Sequence, residues 1–222
     1  MIELSPRLKT IADLACCESV PVSACDVGTD HGYIPVYLAQ KGCKRLIATD
    51  ISAPSAQKAA DNAIKYQLGE CISVRVGNGL ETVSANETEC VIIAGMGGLM
   101  ITKILSAPLP DGIKRFVLQP MRSDYELRLF LSNNGFKIDK EVLCEDDGKI
   151  YTVMLVSYGN ADYDEFSLRY GKFEETPLYY KYIEQKINSL TKQIKGIKKG
   201  GETPDHSLLE RYDILSQIKE RG

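Results

Sequence analysis

The sequence predicts an α/β protein: a seven-stranded, mostly parallel sheet closed by an antiparallel hairpin, with a helical hairpin after it. Three observations predict this. Apolar runs of strand length alternate with helical stripes up to residue 134. A glycine turn at Gly28 to Gly32 follows the first run, and Asp50 ends the second about twenty residues later, the opening of a Rossmann-like nucleotide site. Beyond residue 135 two strands follow one another directly, and from Pro177 the apolar residues step by four and three.

Taken in order, Ser5-Pro6 caps and starts a helix whose stripe is Leu8, Ile11, Ala12, Leu14 and Ala15. Strand one spans 22–27. A helix from Gly32 to Lys41 ends at Gly42, and strand two spans 45–50. Pro54 lies in the first turn of a helix reaching Tyr66, with Gly69 beyond it. Strand three, 72–76, closes on Gly77-Asn78-Gly79. Strand four, 90–94, runs into Gly95-Met96-Gly97-Gly98 and a helix through Ile104. Strand five, 115–118, stops at Gln119-Pro120, and a helix from Ser123 to Asn133 ends at Asn134-Gly135. Strands 136–143 and 150–158 flank Glu145-Asp146-Asp147-Gly148, a hairpin signal. Five β-α units closed by such a hairpin form the arrangement of class I methyltransferases, whereas dinucleotide dehydrogenases usually add a sixth parallel strand. The domains predicted are 1–164 and 165–222. The second is an antiparallel helical coiled-coil hairpin, with Ile183, Ile187, Leu190, Ile194 and Ile197 on one helix and Leu208, Tyr212, Leu215 and Ile218 on the other, joined at Gly200-Gly201.

The first loop identifies the guest. Its spacing is Gly28-x-x-x-Gly32, and the carboxylates Asp26 and Asp30 bracket the turn. A pyrophosphate needs open N–H groups and a positive field, so these acids repel it. S-adenosylmethionine carries an ammonium and a sulfonium and fits instead. On this reading Asp26 and Asp30 anchor its amino-acid end, with Gly28, His31, Gly32 and Tyr33 around them. Asp50 accepts both ribose hydroxyls, Ile51 lies on the adenine face, and Asn78 with Gly79 meets the adenine amino group. The Ala94-Gly95-Met96-Gly97-Gly98 loop stands where the methyl acceptor meets the sulfonium, its glycines letting a planar base approach. Each residue also has a bland alternative: helix capping for Asp50, turn chemistry for Asp26, Asp30, His31 and Asn78.

Composition narrows the class. Net charge is −3, with 44% hydrophobic residues, as in an ordinary globular protein. The seven cysteines are scattered without a C-x-x-C pair and there are two histidines, so reduced thiols and no metal site are expected. The longest uncharged stretch, Cys90 to Thr102, is 13 residues, too short to span a membrane. With no leader-like start, a cytoplasmic location is expected. Charge is uneven: residues 177–201 carry +5, residues 202–222 carry −2 and residues 1–176 carry −6. The basic helix, with Lys192 and Lys195, reads either as a polyanion contact or as a solvated lysine-rich face.

The stretch Asp26 to Pro35, the Ala94 to Gly98 loop, Leu118-Gln119-Pro120-Met121 and the closing helical hairpin together resemble the bacterial TrmK family of tRNA (adenine-22-N1)-methyltransferases. The resemblance implies a class I methyltransferase domain, a coiled-coil domain, S-adenosylmethionine as cofactor and tRNA as substrate. Adenine N1 carries an in-plane lone pair, so positioning rather than a strong base carries the transfer, and the base must be unpaired or extruded. Asp26, Met96 and Gly97 are then the candidate catalytic residues, with Asp26, Asp30 or loop carbonyls facing the charge that moves to the purine. Arg7 and Arg122 are candidates for flanking phosphates, and Tyr33 or Met96 for stacking on the base. Two other readings stay open: a small-molecule methyltransferase with a dimerising hairpin, and a non-catalytic nucleotide-binding adaptor. Monomer and weak dimer are equally compatible with the sequence.

Overall fold

The computed structural model describes residues 2–221. The chain divides into two compact units, Met1–Lys172 and Phe173–Gly222. The first contains β1 (Ser23–Val27), β2 (Arg45–Asp50), β3 (Ile72–Val76), β4 (Cys90–Met96), β5 (Arg115–Pro120), β6 (Phe136–Asp146) and β7 (Lys149–Tyr158) in one sheet of order β3-β2-β1-β4-β5-β7-β6. The pairs β1–β2, β1–β4, β2–β3 and β4–β5 are parallel, and β7 runs antiparallel to both β5 and β6. Strand order reverses at β1, between β2 and β4, and such a switch point opens a crevice beyond the carboxyl ends of the strands.

Helices α1 (Pro6–Ala15), α2 (Tyr33–Gln40), α3 (Ala53–Lys65), α4 (Gly98–Leu105) and α5 (Asp124–Asn133) cover the sheet. Ser5 and Ser52 cap α1 and α3 through their hydroxyl oxygens, as the Ser-Pro and Ser-x-Pro spacing requires. The period of two along each strand splits the core. Ala24, Ile92, Val117 and Leu155 pack with Ile11, Leu14, Val36 and Leu38 of α1 and α2. Cys25, Ile93, Leu118 and Met154 pack with Ile101 and Leu105 of α4 and Leu127 and Leu131 of α5. The turn joining β6 to β7 is the two residues Asp147 (φ 50°) and Gly148 (φ 69°), both left-handed as a two-residue hairpin prefers.

Two differences from the sequence reading have local causes. Strands β4 and β5 run on to Met96 and Pro120, because a register shift between Ala94 and Met96 lets the glycine-rich end keep pairing. A short helix that no stripe announced, α6 (Glu165–Tyr170), lies in the first unit, so that unit extends past the boundary expected at residue 164. Buried Arg128 of α5 holds it, donating to the Leu168 and Arg169 carbonyls and pairing with buried Glu141 at 2.6 Å.

The second unit is a helical hairpin, α7 (Pro177–Lys199) and α8 (His206–Lys219). Ile183, Leu190, Leu208 and Leu215 are buried in it, whereas Ile187, Ile194 and Ile197 are only half-buried. Glu184 pairs with Lys219 across the hairpin. Among the described residues no helix is long and apolar enough to cross a membrane.

Candidate active site

The carboxyl ends of β1, β2, β4 and β5 bring most of the expected residues together. After β1 the chain turns tightly: the Gly28 and Thr29 amides both donate to the Thr49 carbonyl of β2, at 2.8 and 3.0 Å. Gly28 has φ +72°, and a Cβ there would stand 2.3 Å from the Met96 methyl carbon. Gly32 has φ +68° and lies against Ala59 of α3, where a Cβ would meet backbone at 3.1 Å. Conformation favours glycine at both positions, and close approach to the Ala59 backbone adds to it at Gly32.

Asp26 is buried, and the Thr29 hydroxyl donates to its Oδ2 at 2.6 Å. Burial pushes its carboxyl up to about 6, against the Thr29 hydrogen bond that favours ionisation, with the Asp50 charge adding to the rise. Asp50 is half-buried at the end of β2. Its Oδ2 accepts the Asp30 amide at 3.0 Å and its Oδ1 accepts the Ser52 amide at 2.8 Å. Each oxygen keeps a lone pair for an incoming donor. The capping role falls to Ser52, so the bland alternative for Asp50 is taken by its neighbour. Ile51 is 72% exposed beside it, an apolar surface with nothing covering it.

Asp30 is exposed in a left-handed conformation (φ 49°), and His31 lies 3.7 Å from its carboxylate and stacks on Tyr33. Asn78, past the end of β3, donates its amide to Glu81 at 2.8 Å, which leaves the amide oxygen for another donor. The Thr49 hydroxyl holds the neighbouring Gly79 carbonyl.

Ala94 and Gly95 end the regular part of β4. Gly95 is the extra residue of the bulge, with φ +75°, and its amide donates to Gln119 Oε1 at 3.2 Å. Arg7 reaches the same place from α1: its Nη1 donates to Gln119 Oε1 at 2.8 Å and lies 3.8 Å from where a Gly95 Cβ would be. Its guanidinium also faces Asp146 at 3.8 Å and the Tyr151 ring. Gly97 abuts the Arg122 side chain, and Gly98 touches backbone, since a Cβ there would meet the Ser123 carbonyl at 2.2 Å. The Arg122 carbonyl accepts the Gly98 amide at 2.8 Å, while its exposed side chain makes no ion pair or hydrogen bond among the described residues. Leu99, Met100 and Met121 are also exposed around this loop.

The sequence reading missed Gln119 as a site residue, along with Thr29 and Thr49, which hold the first loop. No local signal marked Gln119, whose partners Gly95 and Arg7 are 24 and 112 residues away. Lys192 and Lys195 are exposed on α7 in the second unit. Burial raises the Cys25 and Cys90 thiols, Cys90 to about 12, which keeps both neutral. Among the described residues no cluster of three His, Cys, Asp or Glu side chains is arranged to hold a metal ion.

Comparison with known proteins places this geometry. Residues 4–154 match the methyltransferase domain family. The tRNA (adenine(22)-N(1))-methyltransferase of Bacillus subtilis is 30% identical over 240 aligned positions, spanning 100% of this chain and 99% of that protein. The crystal structure of the B. subtilis m1A22 tRNA methyltransferase TrmK superposes with a TM-score of 0.79 at 27% identity, covering 99% of this chain and 97% of that one. M. capricolum TrmK, solved with the cofactor product S-adenosylhomocysteine, superposes with a TM-score of 0.81 at 28% identity, covering 98% and 97%.

Proposed function

This chain belongs to the tRNA (adenine-22-N1)-methyltransferase family, and from that premise we propose that it transfers a methyl group from S-adenosylmethionine to N1 of adenine 22 in tRNA. The observation that carries the reading is the pairing of Asp50, whose oxygens each keep a lone pair, with a first loop guarded by buried Asp26 and exposed Asp30. That donor set fits a ribose diol and a cationic tail and repels a diphosphate.

The residues present fit the cofactor. Asp50 holds the ribose hydroxyls, Ile51 offers an apolar face to the adenine, and the Asn78 oxygen accepts its amino group. Asp26 and Asp30 face the ammonium end. The cofactor supplies an electrophilic methyl group.

The chain supplies alignment and field. Bare backbone at Gly95 and Gly97 admits a planar base, and Met96, filling the space above Gly28, sets how deep it enters. N1 has no proton to lose, so no general base is needed, and the Asp26 carboxylate stabilises positive charge developing on the purine. Watson–Crick pairing buries N1, so the target nucleotide leaves its stack. Arg7 and unpaired Arg122, flanking the glycine loop, hold its phosphates. The exposed lysines of α7, Lys192 and Lys195 among them, give the helical hairpin of the second unit a basic face for the tRNA backbone. The enzyme acts in the cytoplasm, where tRNA is processed.

The test is incubation of unmodified tRNA transcripts with labelled S-adenosylmethionine and mapping of the product. N1-methyladenine at position 22 is the expected result. Label elsewhere, or label only on small-molecule acceptors, defeats the proposal.

A further inference from the structure

Resting on that reading, we propose that Gln119 is a positioning residue for the RNA substrate, using one buried amide oxygen to set the acceptor loop and to aim Arg7 without cancelling its charge. Gln119 is fully buried at the end of β5, opposite Ala94. The bulge between Ala94 and Met96 inserts Gly95 as an extra residue, and such a residue loses its ladder partner. Gln119 Oε1 replaces that partner, accepting the Gly95 amide at 3.2 Å. The same oxygen accepts Arg7 Nη1 at 2.8 Å. Gln119 Nε2 donates to the Pro120 carbonyl at 2.7 Å, which fixes the amide orientation, since the reverse orientation would set its NH₂ against two donors.

The choice of amide has an electrostatic consequence. A carboxylate at position 119 would accept the same two donors but would pair fully with Arg7. The neutral oxygen orients the guanidinium beside Gly95, and among the described residues the one carboxylate paired with it is Asp146, at 3.8 Å. Arg7 thus keeps positive charge at the place where the target nucleotide's phosphate must come while its base enters the loop.

Gln119→Glu tests this because it keeps Oε1 and adds a charge, at the cost of the Nε2 donation to the Pro120 carbonyl, which Gln119→Met also removes. Its tRNA KM rises roughly tenfold or more, the loss of one charged contact, while kcat falls by less and S-adenosylhomocysteine affinity stays within about twofold of wild type. The slope of log KM against log salt falls by roughly one, as it does for Arg7→Ala, and the double variant shows no further fall. Gln119→Met, which releases both donors, lowers kcat as well. A merely structural role leaves the salt slope untouched. If wild type methylates tRNA and Gln119→Glu keeps its slope and KM, the role assigned to Gln119 is overturned. If Gln119→Glu loses cofactor affinity in parallel with RNA affinity, it is also overturned. If wild type does not methylate tRNA at all, the functional reading falls first and this role with it.

Discussion

The Asp30 amide donates to the Asp50 carboxylate at 3.0 Å, so the glycine turn after β1 and the acid ending β2 form one rigid unit. The same carboxylate holds the Ser52 amide that opens α3. The acid proposed to read a ribose is therefore pre-oriented by backbone before any ligand arrives, and little side-chain entropy remains to be lost on binding.

Replacement of that acid has a defined outcome. Asp50→Ala removes two charge-assisted acceptors for the ribose, each worth about 1.5–3 kcal/mol, and cofactor affinity falls by roughly a hundredfold or more. Calorimetric titration with S-adenosylhomocysteine measures it. An affinity within a few fold of wild type contradicts the ribose assignment.

Asp26 links cofactor binding to pH. Its carboxyl is raised from 3.8 to about 6 chiefly by burial, so the folded protein favours its protonated form. The sign follows: this group's contribution to stability is full below the unfolded value near 3.8 and is lost as pH rises through about 6. Asp26→Asn therefore gains stability over wild type above pH 6, on the order of 3 kcal/mol, and the gain vanishes near pH 4. Cofactor affinity moves oppositely. The ionised carboxylate is needed to face an ammonium, so wild-type affinity weakens as pH falls through about 6 and the Asn variant is weak and pH-insensitive there. Thermal melts and titrations from pH 4.5 to 8 read both effects.

Gly98 admits no side chain. A Cβ at 2.2 Å from the Ser123 carbonyl forces α4 and the 122–123 segment apart. Gly98→Ala costs roughly 1–3 kcal/mol in denaturant unfolding and lowers kcat more than it raises the cofactor Kd, because the acceptor loop shifts while the Asp50 side is untouched. Unchanged unfolding would refute the contact.

Arg128 and Glu141 are both buried, and burial raises the Glu141 carboxyl despite the guanidinium beside it. Arg128→Met strands that charge and releases two α6 carbonyls, a loss of about 3–5 kcal/mol. The double change Arg128→Met with Glu141→Leu recovers much of it, and a double-mutant cycle by urea unfolding measures the coupling.

Legibility of the sequence followed the range of the interactions. Strands β2 and β3 fall where the apolar runs and glycines put them, and Ser5 caps where it precedes proline, because those signals lie within a turn of the chain. The Asp50 position was readable from a spacing. Gln119 was not, since its meaning depends on a bulge in β4 and an arginine of α1, over a hundred residues away. Glycine and proline read as strand breaks at Gly95 and Pro120, yet the bulge keeps Met96 paired with Pro120. Helix α6 has six residues and no stripe of its own, and what holds it is Arg128, 40 residues upstream of Leu168.

The insertion of β7 between β5 and β6 sets an order of events during synthesis. A ribosome that has released the chain only as far as β5 has delivered both glycine loops, Asp50 and Gln119. Asp146 and Tyr151, which brace the Arg7 guanidinium, arrive with the last two strands. The residues proposed to cradle the cofactor are thus made early in translation, and the proposed grip of Arg7 on a polynucleotide waits for the last strand to be made.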